Sequence, residues 1–322
     1  MKIRCATRHR PPAPAAQVEN FVHFIIECLG RMPEHGRLSR EMLSGGGMAR
    51  WTLDDIPWAR FDRPLLDADI VKIVKAAALV EYNGGAYAHH LCRVFHDDPA
   101  FRASALRWGE EEIRHGEALG RWAGLADPDW DFAVAFARFR AGYQVDFNRD
   151  QSRRGSRAGE MVARCIVETG TSSYYTALRD AVREPVLKEI CHNIAADEVR
   201  HYKLFYRTLL RYLDRERIGR WRRLCIALGR LAESQDDELA YAYYAANAIG
   251  QPYDRRRHGR AYARRALAVY REAHVARGVK MIFKAVGLPA NSRLARAVAY
   301  LAWAGLRRRG AHSANLTAAA SL

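Results

Sequence analysis

Apolar residues recur every three or four positions over most of the chain, and no stretch alternates with the period of a strand. The pattern predicts an all-α protein. From position 66 a stripe of Val74, Ala78, Glu81, Gly85, Ala88 and Cys92 predicts one long helix, apolar except at Glu81. Asp97-Asp98-Pro99 places a capping carboxylate ahead of a proline suited to a first turn. The helix it opens carries Phe101, Ala105, Trp108, Glu112, His115, Leu119 and Trp122 on one face. Asp127-Pro128-Asp129 ends that helix and starts an aromatic-rich connecting helix over 130–147. After a basic link at 149–157, Met161, Cys165, Glu168, Thr171, Tyr175 and Leu178 form a stripe with a single acid. Glu184-Pro185 begins the next, with Leu187, Cys191, Ile194, Glu198, His201, Phe205 and Tyr212. Further helices are predicted over 221–249, 262–286 and 292–309, with a disordered tail from 310.

Polar residues thus stand where a plain helical core would carry leucine. Glu112 and His115 lie one turn apart on one helix face, as do Glu198 and His201, so each pair can reach one metal ion. Glu81 precedes the first pair by 31 positions and Glu168 precedes the second by 30. Two helix hairpins related by a pseudo-two-fold axis follow, which is the arrangement of a ferritin-like four-helix bundle with a di-metal carboxylate site. Four Glu and two His neutralise two divalent ions and suit iron, with manganese as the variant at one or both positions. Zinc favours fewer carboxylates in a tetrahedral site. Were these acids only to pair with Arg114 and Arg200, four inward carboxylates would remain in a core, at high cost. Glu189-Ile190-Cys191-His192 repeats the motif, but nine residues place Glu189 half a turn round the helix from Glu198, on another face. Glu111 and Asp197 are each placed to accept the ring N–H of the other helix's histidine; they read equally as exposed acids paired with nearby arginines.

Charge changes the picture at one end. Of a net +16, the span 253–309 supplies 15 Lys/Arg against Asp254 and Glu272, so an acidic partner is expected there. An acidic acyl carrier protein and an anionic membrane surface fit equally, and nucleic acid less well, since no reader motif occurs. The six cysteines are scattered without a Cys-x-x-Cys pair, which predicts reduced thiols, a cytoplasmic protein (with peripheral membrane attachment as a variant) and no built-in redox module. Residues 1–17 carry no apolar signal-peptide core, and the run 297–306 is too short to span a bilayer. The expected organisation is 1–64 as an arm, a helix bearing His23 and Glu27, and a lid carrying Trp51 and Trp58; 65–212 as the di-metal bundle; and 213–322 as a basic helical extension. Small residues at Gly84, Gly85, Gly170, Ser172 and Ser173 allow either a channel beside the metals or close helix packing, and Gly170 is a candidate π-bulge.

The motifs Glu111-Glu112-Ile113-Arg114-His115-Gly116 and Asp197-Glu198-Val199-Arg200-His201 resemble those of the soluble acyl-carrier-protein desaturases, over roughly 65–212, with Ile113 where that family has Asn. The resemblance implies metal ligands at Glu81, Glu112, His115, Glu168, Glu198 and His201, a Thr171 beside the oxygen site, and an Asp197 linking a ligand histidine to the surface where electrons enter. It implies a di-iron, O2-dependent oxidase of an acyl-carrier-bound or lipid-like substrate, desaturation foremost, fed by a separate ferredoxin or reductase, with a homodimer as the default assembly. A di-iron N-oxygenase or hydroxylase of a natural-product intermediate shares the ligand set, and a ferritin-like metal-binding protein without an organic substrate is the alternative of a different class.

Overall fold

In the computed structural model the described residues are 50–143, 150–233 and 237–319. The arm and helix expected over 1–49, with His23 and Glu27, lie outside them, as do 144–149 and 234–236. Residues Arg50–Leu322 form one compact unit, so Trp51 and Trp58 belong with the helices that follow. Among the described residues there are helices and no strand, and no helix is long and apolar enough to cross a membrane.

Three short 3-10 turns (Leu53–Asp55, Trp58–Arg60, Arg63–Leu65) lead into α1 (Ala68–Tyr82) and α2 (Gly84–Val94). Then come α3 (Pro99–Ala126), α4 (Phe132–Gly142), α5 (Arg157–Ala181) and α6 (Pro185–Glu216). The basic third forms α7 (Arg220–Glu233), α8 (Asp237–Asn247), α9 (Arg255–Ala268), α10 (Glu272–Val286) and α11 (Arg293–Ala319). The starts follow the capping chemistry in the sequence: Asp67, Asp98 and Ser156 each accept backbone N–H groups of the helix they open. Glu184 caps α6 and also accepts Trp122 Nε1 at 2.7 Å and the Asp62 N–H at 3.2 Å. A buried cap thereby ties α6 to α3 and to the entering chain.

Helices α1 and α2 pack on α3, α5 packs on α6, and α3 meets α6 between the two hairpins. α8 covers α1, while α7 and α10 cover α5. Two apolar clusters fill the interior. One is built around Ile73, Leu119, Trp122, Leu178 and Ile190, the other around Phe95, Phe101, Met161, Phe205 and Tyr212. On α1–α2, α3, α5 and α6 alike, the residues between these clusters in the chain are Glu81, Glu112 with His115, Glu168, and Glu198 with His201. The polar layer is therefore closed above and below by apolar packing.

The helices differ from the sequence expectation in several places, among them the connecting helix, expected over 130–147, which ends at Gly142. The single helix expected from 66 to 92 breaks at Asn83, whose Oδ1 accepts Arg140 Nη1 at 3.0 Å. The poor helix former Gly84 follows, and a Cβ there would collide with the Glu112 side chain, so glycine is what lets α2 approach α3. The helix expected over 262–286 breaks at 269–271, where His274 Nδ1 accepts the Arg271 N–H at 3.0 Å and its Nε2 meets Asp180 of α5 at 3.0 Å. The helix expected over 221–249 is two helices, α7 and α8, with 234–236 outside the described residues. α11 runs on to Ala319, past the expected tail at 310, because the alanines and Leu316 there are strong helix formers. Finally, α5 is regular α-helix through Gly170, with no π-bulge.

Candidate metal centre

The last turn of α1 supplies Glu81, the middle of α3 supplies Glu112 and His115, α5 supplies Glu168, and α6 supplies Glu198 and His201. None of the six is more than 6 % exposed. They fall into two groups whose ligand atoms all lie within 4.8 Å of one another: Glu81, Glu112, His115 and Glu198; and Glu112, Glu168, Glu198 and His201. Glu112 and Glu198 belong to both, which is the position of a bridging carboxylate. Around His115 Nδ1 stand Glu198 Oε1 at 3.4 Å, Glu81 Oε2 at 3.6 Å and Glu112 Oε2 at 3.8 Å. Around His201 Nδ1 stand Glu112 Oε1 at 3.1 Å, with Glu168 Oε2 and Glu198 Oε1 both at 3.7 Å. Donors that share one ion at bonds of about 2.1 Å are spaced by about 3 Å or more.

The orphaned atoms test whether a metal fits. Glu81 Oε2, His115 Nδ1, Glu168 Oε1, Glu198 Oε1 and His201 Nδ1 are buried without a hydrogen-bond partner. Buried polar atoms in folded proteins are almost always paired, and here five orphans face one another within a single cluster. They are a hard-to-borderline oxygen and imidazole set, of a kind that could hold metal ions.

The other face of each histidine is fully engaged. His115 Nε2–H donates to Asp197 Oδ2 at 3.0 Å and His201 Nε2–H to Glu111 Oε2 at 2.7 Å, since an ionised carboxylate can only accept. Each acid serves the histidine of the opposite hairpin, leaving Nδ1 for the metal. Arg200 bridges the two acids, bonding Asp197 and, at 3.2 Å, Glu111. Arg114 adds a contact to Asp197 at 3.3 Å, and Arg50 pairs with Glu111 at 2.8 Å. Both carboxyls are held below the ordinary range, because these partners outweigh the effect of burial.

Burial and the mutual repulsion of acids push Glu81 and Glu168 well above the usual carboxyl range. At Glu112 and Glu198 burial works the same way, but the facing histidines win and both are lowered. His115 and His201 are raised well above 6.5: burial opposes their charge, and the acids around each overcome it.

Neighbours outside the ligand set touch it directly. Thr171 Oγ1 hydrogen-bonds Glu198 Oε2, and Tyr175 OH donates to Glu81 Oε1 at 2.6 Å. Trp51 Nε1 donates to Asp197 Oδ2 at 2.9 Å, and its ring stacks on His115 with centroids 6.0 Å apart and planes within 1°. Trp58, the other candidate, instead bonds the Leu53 carbonyl and lies against Arg121. The look-alike Glu189 and His192 are exposed and outside the cluster. Ser172 and Ser173 are buried and pack toward α10, where a Cβ at Gly278 would lie 3.1 Å from Ser173 Oγ. Gly170 is exposed. Sequence reasoning passed over Tyr175 as a core aromatic; its one signal is that it follows Thr171 by four positions, on the same face.

No protein-family model matches the chain, and no curated protein matches it.

Proposed function

We propose that the protein is a di-iron, O2-dependent oxidoreductase built on a ferritin-like four-helix bundle. The observation that carries this reading is the set of five buried, unpartnered donor atoms drawn from four helices onto two overlapping sites. Glu81 and His115 would hold one ion, Glu168 and His201 the other, and Glu112 and Glu198 would bridge them. An iron pair held there supplies dioxygen reduction and the oxidation of an unactivated C–H bond.

The chain's own groups have distinct tasks. Asp197 and Glu111 fix the ring orientation of His115 and His201. The apolar clusters on either side exclude water. Thr171 and Tyr175 carry protons at Glu198 Oε2 and Glu81 Oε1. The half-buried Trp51, joined to Asp197 and stacked on His115, offers a continuous contact between the surface and a ligand, suited to an external ferredoxin or reductase. By resemblance the substrate is an acyl-carrier-bound or lipid-like chain and the reaction a desaturation. A second reading, oxygenation of a small polar molecule, is favoured by one observation: a buried arginine, Arg164, one turn from Glu168 on α5.

Metal analysis of the iron-loaded chain tests the assignment. We expect two irons per wild-type chain, loss of both in Glu112→Ala, retention of about one in Glu81→Ala or Glu168→Ala, and no change in Glu189→Ala. Two tightly held irons in Glu112→Ala would overturn the ligand set. Anaerobic reduction followed by oxygen, with acyl-carrier-protein or lipid extract, should yield a product lighter by two hydrogens or heavier by one oxygen. Iron oxidation with no organic product would leave a metal-binding protein.

A further inference from the structure

Arg164 is the charged group in the core that the metal cluster leaves unexplained. It is only 9 % exposed, yet among the described residues its guanidinium donates no hydrogen bond, and Nε is buried without a partner. Its nearest acid, Glu160, stands 4.0 Å away and already accepts Ser152 Oγ at 2.7 Å. A second guanidinium, Arg230 of α7, lies close by and is likewise without a hydrogen bond or ion pair among the described residues. Burial, and then the charge of Arg164, hold Arg230 below its ordinary pKa. Two further acids, Glu238 and Glu233, act on Arg230 in the opposite sense without bonding it. Glu238 accepts Tyr87 OH at 3.1 Å, and Glu233 pairs with Arg154 at 2.6 Å. A buried guanidinium with no acceptor is costly, and two side by side are more so.

The surroundings say what satisfies them. Arg164 precedes Glu168 by four residues, about 6 Å along the helix and on nearly the same face. Tyr87, whose ring lies 5.2 Å from the Arg164 guanidinium, is one turn along α2 from Gly84, which itself lies against Glu112. Both helices therefore lead from the metal ligands to this arginine. Tyr87 of α2 and Arg164 of α5 meet side chain to side chain between the two helices.

We infer that Arg164 and Arg230 bind the carboxylate of the substrate, which makes that substrate an organic acid oxidised at a position near, but not at, its carboxyl end. A guanidinium fork matches a carboxylate in two parallel hydrogen bonds. The nearby Glu160 and Glu238 disfavour a dianion, which selects a carboxylate over a phosphate. The inference rests on the oxidoreductase reading for the word substrate, while the anion site stands on its own geometry.

Calorimetry on the full chain loaded with manganese(II), using benzoate, decanoate and inorganic phosphate as probes, tests it without turnover. At least one carboxylate should bind, and Arg164→Gln and Arg230→Gln should each weaken that binding roughly tenfold or more at unchanged metal content. Because the Arg164 guanidinium donates no hydrogen bond among the described residues and its one ion pair, to Glu160, is long at 4.0 Å, Arg164→Gln should lower the melting temperature little. A structural arginine would instead lower the melting temperature on removal and leave binding alone. Should Arg164→Gln not fold, the more exposed Arg230→Gln decides. Absence of carboxylate binding, equal affinity in the variants, or a preference for phosphate overturns the inference. Metal content in the same samples separates the two readings: carboxylate binding without metal loading sinks the oxidoreductase, and full loading without carboxylate binding sinks the arginine site.

Discussion

Each ligand histidine is held at Nε2 by a carboxylate from the opposite hairpin, and each points Nδ1 at three others. That environment favours a proton on Nδ1 until a metal replaces it. His115 and His201 are both raised by the acids around them, which favours their charged forms in the metal-free protein. Glu81 and Glu168 are also raised, by burial and by neighbouring carboxylates, which favours their neutral forms. The sign follows directly: the metals compete with protons, so affinity falls as pH falls and loading releases protons. We expect a net release of protons on loading. Calorimetric titration in two buffers of different ionisation heat measures the number, and a value near zero would show that the cluster is already deprotonated. The six clustered residues were legible in the sequence, because a Glu-x-x-His pair on an otherwise apolar stripe contradicts the stripe. Tyr175, Trp51 and Arg164 were not. An aromatic on an apolar face conforms to the pattern, and a single arginine within a helix reads as solvent-facing until its burial is known.

At the scale of the elements, the approach of helices fixes the ligand geometry. A Cβ at Gly116 would fall 2.6 Å from the backbone nitrogen of Tyr82, the residue after Glu81. Backbone cannot yield as a side-chain tip can, so Gly116→Ala should cost about 1–3 kcal/mol and shift the turn that carries Glu81. Gly124, also in α3, meets nothing within 4 Å, and Gly124→Ala should be neutral or stabilising by up to about 1 kcal/mol. Urea denaturation of the two variants, with metal content, provides the comparison. Equal stability would mean that α1 and α3 tolerate a wider separation. The hairpin order and most helix starts could be read from the sequence because caps such as Asp98-Pro99 and Glu184-Pro185 are local chemistry. The breaks at Asn83 and at 269–271 could not, since each depends on a partner far along the chain, Arg140 or Asp180.

On the scale of the whole molecule, charge and apolar surface coincide on α11. Its inner face, Ala295, Val298 and Ala299, is buried, and the helix packs on α10. Its outer face leaves Tyr300 65 % and Leu301 42 % exposed, with Arg293, Arg296, Arg307 and Arg308 also exposed along the helix. An aromatic and an aliphatic side chain set among arginines match the boundary of an anionic bilayer, where rings sit at headgroup level and each nearby cation adds about 1 kcal/mol. We propose that face as the attachment to an anionic membrane, which would present a lipid-derived acid to the metal centre. The full chain should sediment with phosphatidylglycerol vesicles and not with phosphatidylcholine vesicles, and high salt should release it. Tyr300→Ser with Leu301→Ser should weaken the association several-fold at unchanged metal content, because it removes apolar burial and leaves the charges in place. If the pair of substitutions has no effect while salt still releases the protein, the apolar face has no part in the contact and the basic residues act alone. An acidic carrier protein then becomes the better partner, because charge pairing across a protein interface needs no inserted aromatic.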